Sequence, residues 1–336
     1  MSNKILVTGG AGYCGGILIP RLLSKEYEVT IYDAMFYGDK HLPLENPNLN
    51  VIKGDIRDIS KLKKSLKDID CVLHLACISN DTSFELNESL STTINLEAFE
   101  PLVLAAKENG VKRFVYASSS SVYGVSEAPE VFEDHPLVPL TLYNKYKGEC
   151  EPLLFKYTDE SFTGVIFRPA TVCGYSPRLR LDLSVNILTN LAINNGVITV
   201  FGGEQLRPNL HIQDYADLCV KLIEANDLSV QNKIFNCGYE NMSIIDIAQT
   251  VKRIVEKEFP EKSPIRIETT SSDDKRSYHI NSDKIKNELG FVPKLSVANA
   301  VTDLCNAFKK GLIPNSFEDD KYYNVRTMKK IEIPSI

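Results

Sequence analysis

Apolar residues recur along this chain in two alternating rhythms. Lys4 to Thr8 is a short apolar run ending at glycines, Ile17 to Ser24 carries apolar residues at helical spacing, and Glu28 to Tyr32 is again a compact apolar run. Short runs suit buried strands and a 3.6-residue period suits a helix with one covered face, so this opening predicts strand, turn, helix, strand. The alternation continues with a strand near 51–53, a helix near 59–66, a strand over 71–76, a long helix over about 92–109, a strand over 113–118, a helix over 141–157 and a strand over 163–167. Such alternation predicts a parallel sheet covered by helices on both faces and joined by right-handed crossovers.

Past Pro169 the rhythm shortens. Val197–Phe201, Asn209–Ile212 and Lys233–Asn236 are brief strand-like segments, separated by helical patterns near 185–194, 215–225 and 243–256. The expected architecture is α/β: a doubly wound parallel sheet over residues 1–170, then a smaller α/β lobe over 171–310. Segment 201–213 of that lobe could rejoin the main sheet, and a loose tail is expected over 311–336. The polar stretch Thr269–Arg276 interrupts the lobe.

Charge and cysteine content exclude several function classes. The 336 residues hold 38 Lys+Arg against 44 Asp+Glu, a net charge of −6, with no basic cluster of the kind a nucleic-acid backbone requires. No run approaches the roughly 18 apolar residues of a membrane span, and the N-terminus passes straight into a glycine loop instead of a cleavable leader, so a cytoplasmic protein is expected. The eight cysteines are scattered without a C-x-x-C pair, several of them inside apolar segments, and the five histidines are dispersed. Buried thiols in a reducing compartment are expected, with no disulfide and no metal site.

The chemistry concentrates in a few motifs. Thr8-Gly-Gly-Ala-Gly-Tyr-Cys-Gly-Gly16 joins the first strand to the first helix, where glycines allow a tight turn and bring backbone N–H groups up to a pyrophosphate at the positive helix end. Asp33 ends the second strand, placed to accept both hydroxyls of an adenosine ribose and to repel a 2′-phosphate, which favours NAD over NADP. Asp55 and Ile56 follow the third strand and could hold an adenine edge. Tyr143 and Lys147 stand four apart, on one helix face, where a neighbouring ammonium favours a phenolate able to move protons. That spacing arises often by chance; its weight comes from the hydroxyl cluster Ala117-Ser-Ser-Ser-Ser-Val-Tyr-Gly124, at the carboxyl end of the fifth strand, where open parallel sheets bind ligands.

Together with His74-Leu-Ala and Asn95, these motifs resemble the extended short-chain dehydrogenase/reductase family, and within it the NAD-dependent nucleotide-sugar epimerase/dehydratase branch that includes UDP-glucose 4-epimerase-like enzymes. The likeness runs over about residues 4–310. It implies a Rossmann-type fold and a cofactor site of Gly9, Gly12, Tyr13, Cys14, Asp33, Asp55, Ile56, Leu75, Ala76, Tyr143 and Lys147. Tyr143 would be the base and acid, Lys147 would hold the nicotinamide ribose and lower the tyrosine's pKa, and Ser119 would hydrogen-bond the reacting oxygen. Family dehydratases carry Asp-Glu where this chain has Ser120 and Ser121, which disfavours loss of water. Arg168-Pro-Ala-Thr-Val-Cys-Gly174 departs from the family pattern at Thr171, where Asn is usual, and at Cys173, where Tyr is usual.

The implied substrate is a nucleoside-diphosphate sugar bound by Ser79, Asn80, Ser119, Ser120, Tyr143, Thr171, Asn186, Arg207 and Arg276, with Arg178 and Arg180 as further cations beside its diphosphate. The implied reaction is epimerisation through transient oxidation at sugar C4. A net 4-dehydrogenase or 4-keto reductase is the alternative, and a non-catalytic NAD-binding module a remoter one. Relatives dimerise through the helices equivalent to 92–109 and 141–157, so a homodimer is expected; Leu102, Leu153 and Leu154 on these helices suit such an interface, and packing against the sheet explains them equally well.

Overall fold

The computed structural model describes residues 3–79, 81–271 and 277–331. β1 (Lys4–Thr8), α1 (Gly15–Leu23) and β2 (Glu28–Asp33) form the predicted opening unit, followed by β3 (Leu49–Lys53), α2 (Ile59–Ser65) and β4 (Cys71–His74). Two short helices, α3 (Asp81–Phe84) and α4 (Glu88–Thr92), lead into a π-helical turn at 93–97 and then α5 (Phe99–Glu108). The single long helix expected over 92–109 is thus broken. Asn95 in the π turn explains why: its Oδ1 accepts from the Ile78 amide at 2.8 Å and its Nδ2 donates to the Ile78 carbonyl at 2.9 Å, so the helix is distorted to pin the loop after β4.

β5 (Arg113–Ala117), α6 (Leu142–Phe155) and β6 (Thr163–Pro169) complete the first half. The second half runs β7 (Thr171–Cys173), α7 (Ser184–Asn195), β8 (Val197–Phe201), β9 (Leu206–His211), α8 (Ile212–Glu224), α9 (Asp227–Val230), β10 (Lys233–Cys237), β11 (Glu240–Ser243), α10 (Ile244–Glu258), β12 (Arg266–Thr270), α11 (Asp283–Leu289), α12 (Val297–Lys309) and α13 (Asn324–Met328).

The main sheet has seven parallel strands in the order β10-β6-β5-β4-β1-β2-β3. Its central strands β1, β4 and β5 are buried almost throughout, as a sheet covered on both faces requires. Ile5, Val7, Ile31 and Val115 face a core shared with α1 and α8, while Leu6, Tyr32, Val72 and Phe114 face one shared with α2, α5 and α6.

Two expectations need correction. The chain does rejoin the main sheet, but through β10 and not through 201–213, which instead supplies β9 to a separate three-stranded sheet, β11-β9-β7. α8 goes with it, lying against α1, its last carbonyls at Leu222 and Ile223 capped by the buried Arg113 guanidinium. The smaller lobe is therefore built from α7, α10, α12, the three-stranded sheet and the parallel pair β8–β12 around their own apolar core. Second, the tail is not loose as far as it is described: Tyr322, Tyr323 and Asn324 are buried, packed with Tyr13, Leu179 and Leu181. Leu102 and Leu154 are fully buried beneath the sheet and Leu153 packs beside them, so of the two readings of these leucines it is packing within the chain's own core that holds.

All eight cysteines are free thiols. Among the described residues no helix is long and apolar enough to cross a membrane.

Candidate active site

The strand order reverses between β1 and β4, and an open parallel sheet leaves a crevice outside the carboxyl ends of its strands at such a point. A cavity of about 500 Å³ lies there, lined by the glycine loop, the ends of β2, β4 and β5, one face of α6 and residues from the second half of the chain. The ends of β1 and β4 approach so closely that a Cβ on Gly9 would stand 2.6 Å from the Ala76 amide nitrogen, and Gly9 has φ +74°, so no other residue fits. No side chain caps the start of α1; its Gly16, Ile17 and Leu18 amides turn back onto the Gly12 and Cys14 carbonyls, and Gly12, Tyr13 and Cys14 of the loop border the cavity.

Asp33 closes the far side of the loop. Its Oδ2 accepts from the Ala11 amide at 3.0 Å and its Oδ1 from Met35 at 2.7 Å, which orients the carboxylate while burial pushes its pKa up. Asp55 and Ile56 also line the cavity, but the Asp55 carboxylate is taken by Arg57, 2.7 Å away. A cradle that only glycine can form, an uncapped helix start and a carboxylate at the end of β2 fit a dinucleotide. Leu75, Ala76, Gly12, Tyr13 and Cys14 line the same wall.

The reacting end is built by β5 and α6. Ser119, in extended backbone just past β5, places its Oγ 2.7 Å from Ser121 Oγ, and Ser121 in turn donates to Asn144, the neighbour of Tyr143. α6 is capped by Thr141, whose Oγ1 accepts from the Asn144 amide and donates to the Asp81 carboxylate of α3. Tyr143 and Lys147 both line the cavity, one turn apart. Lys147 is buried, donates from Nζ to the Ala117 carbonyl at 2.7 Å and lies 5.1 Å from the centre of the Tyr116 ring. Burial holds the Tyr143 phenol well above its usual value of 10.0, the Cys77 thiol and Asp81 add to the rise, and Arg180 is the cation that most lowers it. The cation that acts most on this phenol is thus Arg180, which the Tyr-x-x-x-Lys spacing gave no sign of, and not the expected Lys147.

Sequence reasoning also missed what fixes α6. Glu151 on α6 pairs with Arg168 of β6 in a bidentate contact, 2.9 Å at Nε and 2.5 Å at Nη2, and accepts from Ser118 at 2.6 Å. All three side chains are buried, so the helix carrying Tyr143 is pinned to β6 and to the segment after β5 that carries Ser119.

From the second half, Thr171 and Arg207 line the cavity, as do Ser79 and Ser120 from the first. Arg207 donates to the Leu206 carbonyl and stacks 5.2 Å from the Tyr278 ring centre. Asn186 is not at the cavity. It is fully buried, accepting from the Gly174 amide at 3.0 Å and donating to the Arg180 carbonyl at 2.8 Å and to the Tyr13 hydroxyl at 3.2 Å. With Tyr13 donating to the Gly174 carbonyl at 2.7 Å, it bolts the glycine loop to the second half of the chain and has no group left for a substrate. Asn80 and Arg276 lie outside the described residues.

Comparison with known proteins places this site in a family. Residues 5–238 match the NAD dependent epimerase/dehydratase family. The chain belongs to that family. NAD is accordingly its cofactor, and the glycine cradle and Asp33 are where this family member would hold it. Among curated proteins it is similar to UDP-glucose 4-epimerase of Lactobacillus helveticus, 26% identical over 318 residues that span 87% of this chain and 92% of that one. It is also similar to UDP-glucuronic acid decarboxylase 3 of Arabidopsis thaliana, 27% identical over 308 residues, 88% and 85% of the two chains. Among solved structures it superimposes on UDP-glucuronic acid 4-epimerase from Bacillus cereus, in complex with UDP-glucuronic acid and NAD, with a TM-score of 0.80 and 27% identity over 91% of this chain and 99% of that one.

Proposed function

We propose that this family member is a nucleoside-diphosphate-sugar epimerase working at sugar C4. The observation that carries the reading is that Tyr143, Lys147 and Ser119 line one cavity while the two positions that hold acids in dehydratases hold Ser120, which is buried, and Ser121, which is committed to Ser119 and Asn144. Bound NAD supplies a hydride acceptor and donor. Tyr143 takes the proton of the C4 hydroxyl and later returns it. Ser119 hydrogen-bonds the same oxygen and steadies it as it becomes a carbonyl. Lys147, with one N–H on Ala117, keeps two for the cofactor ribose and the tyrosine oxygen. Thr171 and Arg207 stand further along the cavity, where a guanidinium suits the substrate's diphosphate.

Tyr143→Phe tests the assignment. Turnover is expected to fall by about 10³-fold with NAD binding retained, and unchanged turnover overturns it.

A further inference from the structure

Two arginines of the second half carry donors that the described residues do not satisfy. Arg178 is 5% exposed; its Nη2 donates to Asn324 Oδ1 at 2.6 Å and its guanidinium lies 3.7 Å from the Tyr37 ring centre. Its Nε and Nη1 are buried with no acceptor among the described residues. Arg180 is held by Asp182 at 2.9 Å and by Ser79 at 3.2 Å, and its Nη2 likewise has no acceptor among them. Buried guanidinium N–H groups left without acceptors are costly, and both side chains line the cavity. They call for a ligand with several anionic oxygens.

Position decides which anion. The Arg178 backbone nitrogen stands 3.5 Å from where a Cβ on Gly16 would lie, at the start of α1, and its charge acts on Asp33. Arg180 acts on Cys14 in the glycine loop and on Tyr143. The pair therefore spans the cofactor's path from the ribose carboxylate to the reacting end, across from the uncapped helix start. Arg207, stacked on Tyr278, stands further along the cavity, on the side of the substrate's diphosphate.

We propose that Arg178 and Arg180 close over the NAD pyrophosphate from the side opposite the glycine loop and retain the cofactor between turnovers. Each is braced for this. Asn324 of the C-terminal segment holds Arg178, donates from its amide to Asp182 at 3.0 Å and from Nδ2 to Ser79 at 2.9 Å. The cage thus has walls from both halves of the chain and from the C-terminal segment, and release of the dinucleotide requires all three to part.

The proposal rests on NAD as the cofactor and not on the stereochemical outcome, so its test involves no sugar turnover. Calorimetric affinities for NAD and for UDP, and the rate of NAD loss on dilution, are measured for wild type, Arg178→Met, Arg178→Lys, Arg180→Met and Arg207→Met, each checked for an unchanged thermal melt. The expected result is NAD bound at least tenfold more weakly and released faster in Arg178→Met and Arg180→Met, an intermediate effect in Arg178→Lys, and weakened UDP only in Arg207→Met. NAD affinity within twofold of wild type in the Arg178 variants, or loss of UDP affinity in place of NAD affinity, overturns it.

Discussion

Tyr143 is the residue on which the proposed chemistry turns, and its surroundings set the pH at which it works. A base must be deprotonated to act, and burial holds this phenol above its ordinary range, so kcat/KM is expected to climb through the alkaline region. Arg180 favours the phenolate. Arg180→Met should move that climbing limb about one unit further up in a pH–rate profile, whereas a group with no influence on Tyr143 would leave the limb in place. Tyr143, Lys147, Ser119 and Asp33 were legible in the sequence because a motif in fixed order points to one strand end and one helix face. Asn324 and Glu151 were not, nor was the action of Arg180, read only as a cation beside the diphosphate, on Tyr143, because each depends on a partner on another element, which no local spacing encodes. Asn186 shows the converse: its place in the sequence suited a ligand contact, and its fully buried amide is spent on Gly174, Tyr13 and Arg180.

At the scale of elements, the alternating rhythm located every strand of the first half and both faces of the sheet, since periods of 2 and 3.6 depend only on near neighbours. It could not show the π turn at Asn95, which exists to hold Ile78, nor that β10 would return beside β6, which is a long-range pairing. Two element-level contacts carry predictions. Glu151→Gln leaves the buried Arg168 without its counter-charge and should destabilise the chain by about 3–5 kcal/mol in denaturant unfolding while shifting Tyr143 relative to Ser119. His74, on β4, sits 2.7 Å from Thr8 Oγ1 of β1, and burial, with a smaller contribution from Lys147, pushes its pKa from 6.5 down to about 3. The unfolded chain takes up that proton near pH 6.5 and the folded one does not until about pH 3. Stability gained above pH 6.5 is therefore lost as pH falls, by up to about 1.4 kcal/mol per unit through that window. His74→Phe should flatten the acid side of the stability curve, and an unchanged slope would show that another group governs it.

The whole molecule joins two halves around one cavity, and the last described residues belong to that junction. Tyr322 and Tyr323 pack with Tyr13 of the glycine loop, and Asn324 links Arg178, Asp182 and Ser79. A chain ending at Lys310 should therefore melt lower and bind NAD about tenfold more weakly, measurable by thermal unfolding and calorimetry; full retention of both would make the segment dispensable. The sequence of 311–336 suggested a loose end because it shows no periodic pattern, yet Ile313, Tyr322 and Tyr323 seat its described part. Epimerisation returns the cofactor to its starting state in every cycle. Purified protein incubated with a panel of nucleotide sugars and less than one equivalent of NAD, followed by proton NMR of the anomeric signals and by absorbance of NADH, tests it directly. Conversion of one sugar far beyond the NAD supplied, with no build-up of NADH, is the predicted result. Conversion that stops when NAD is exhausted and leaves an equal amount of NADH would contradict it and make the protein a dehydrogenase.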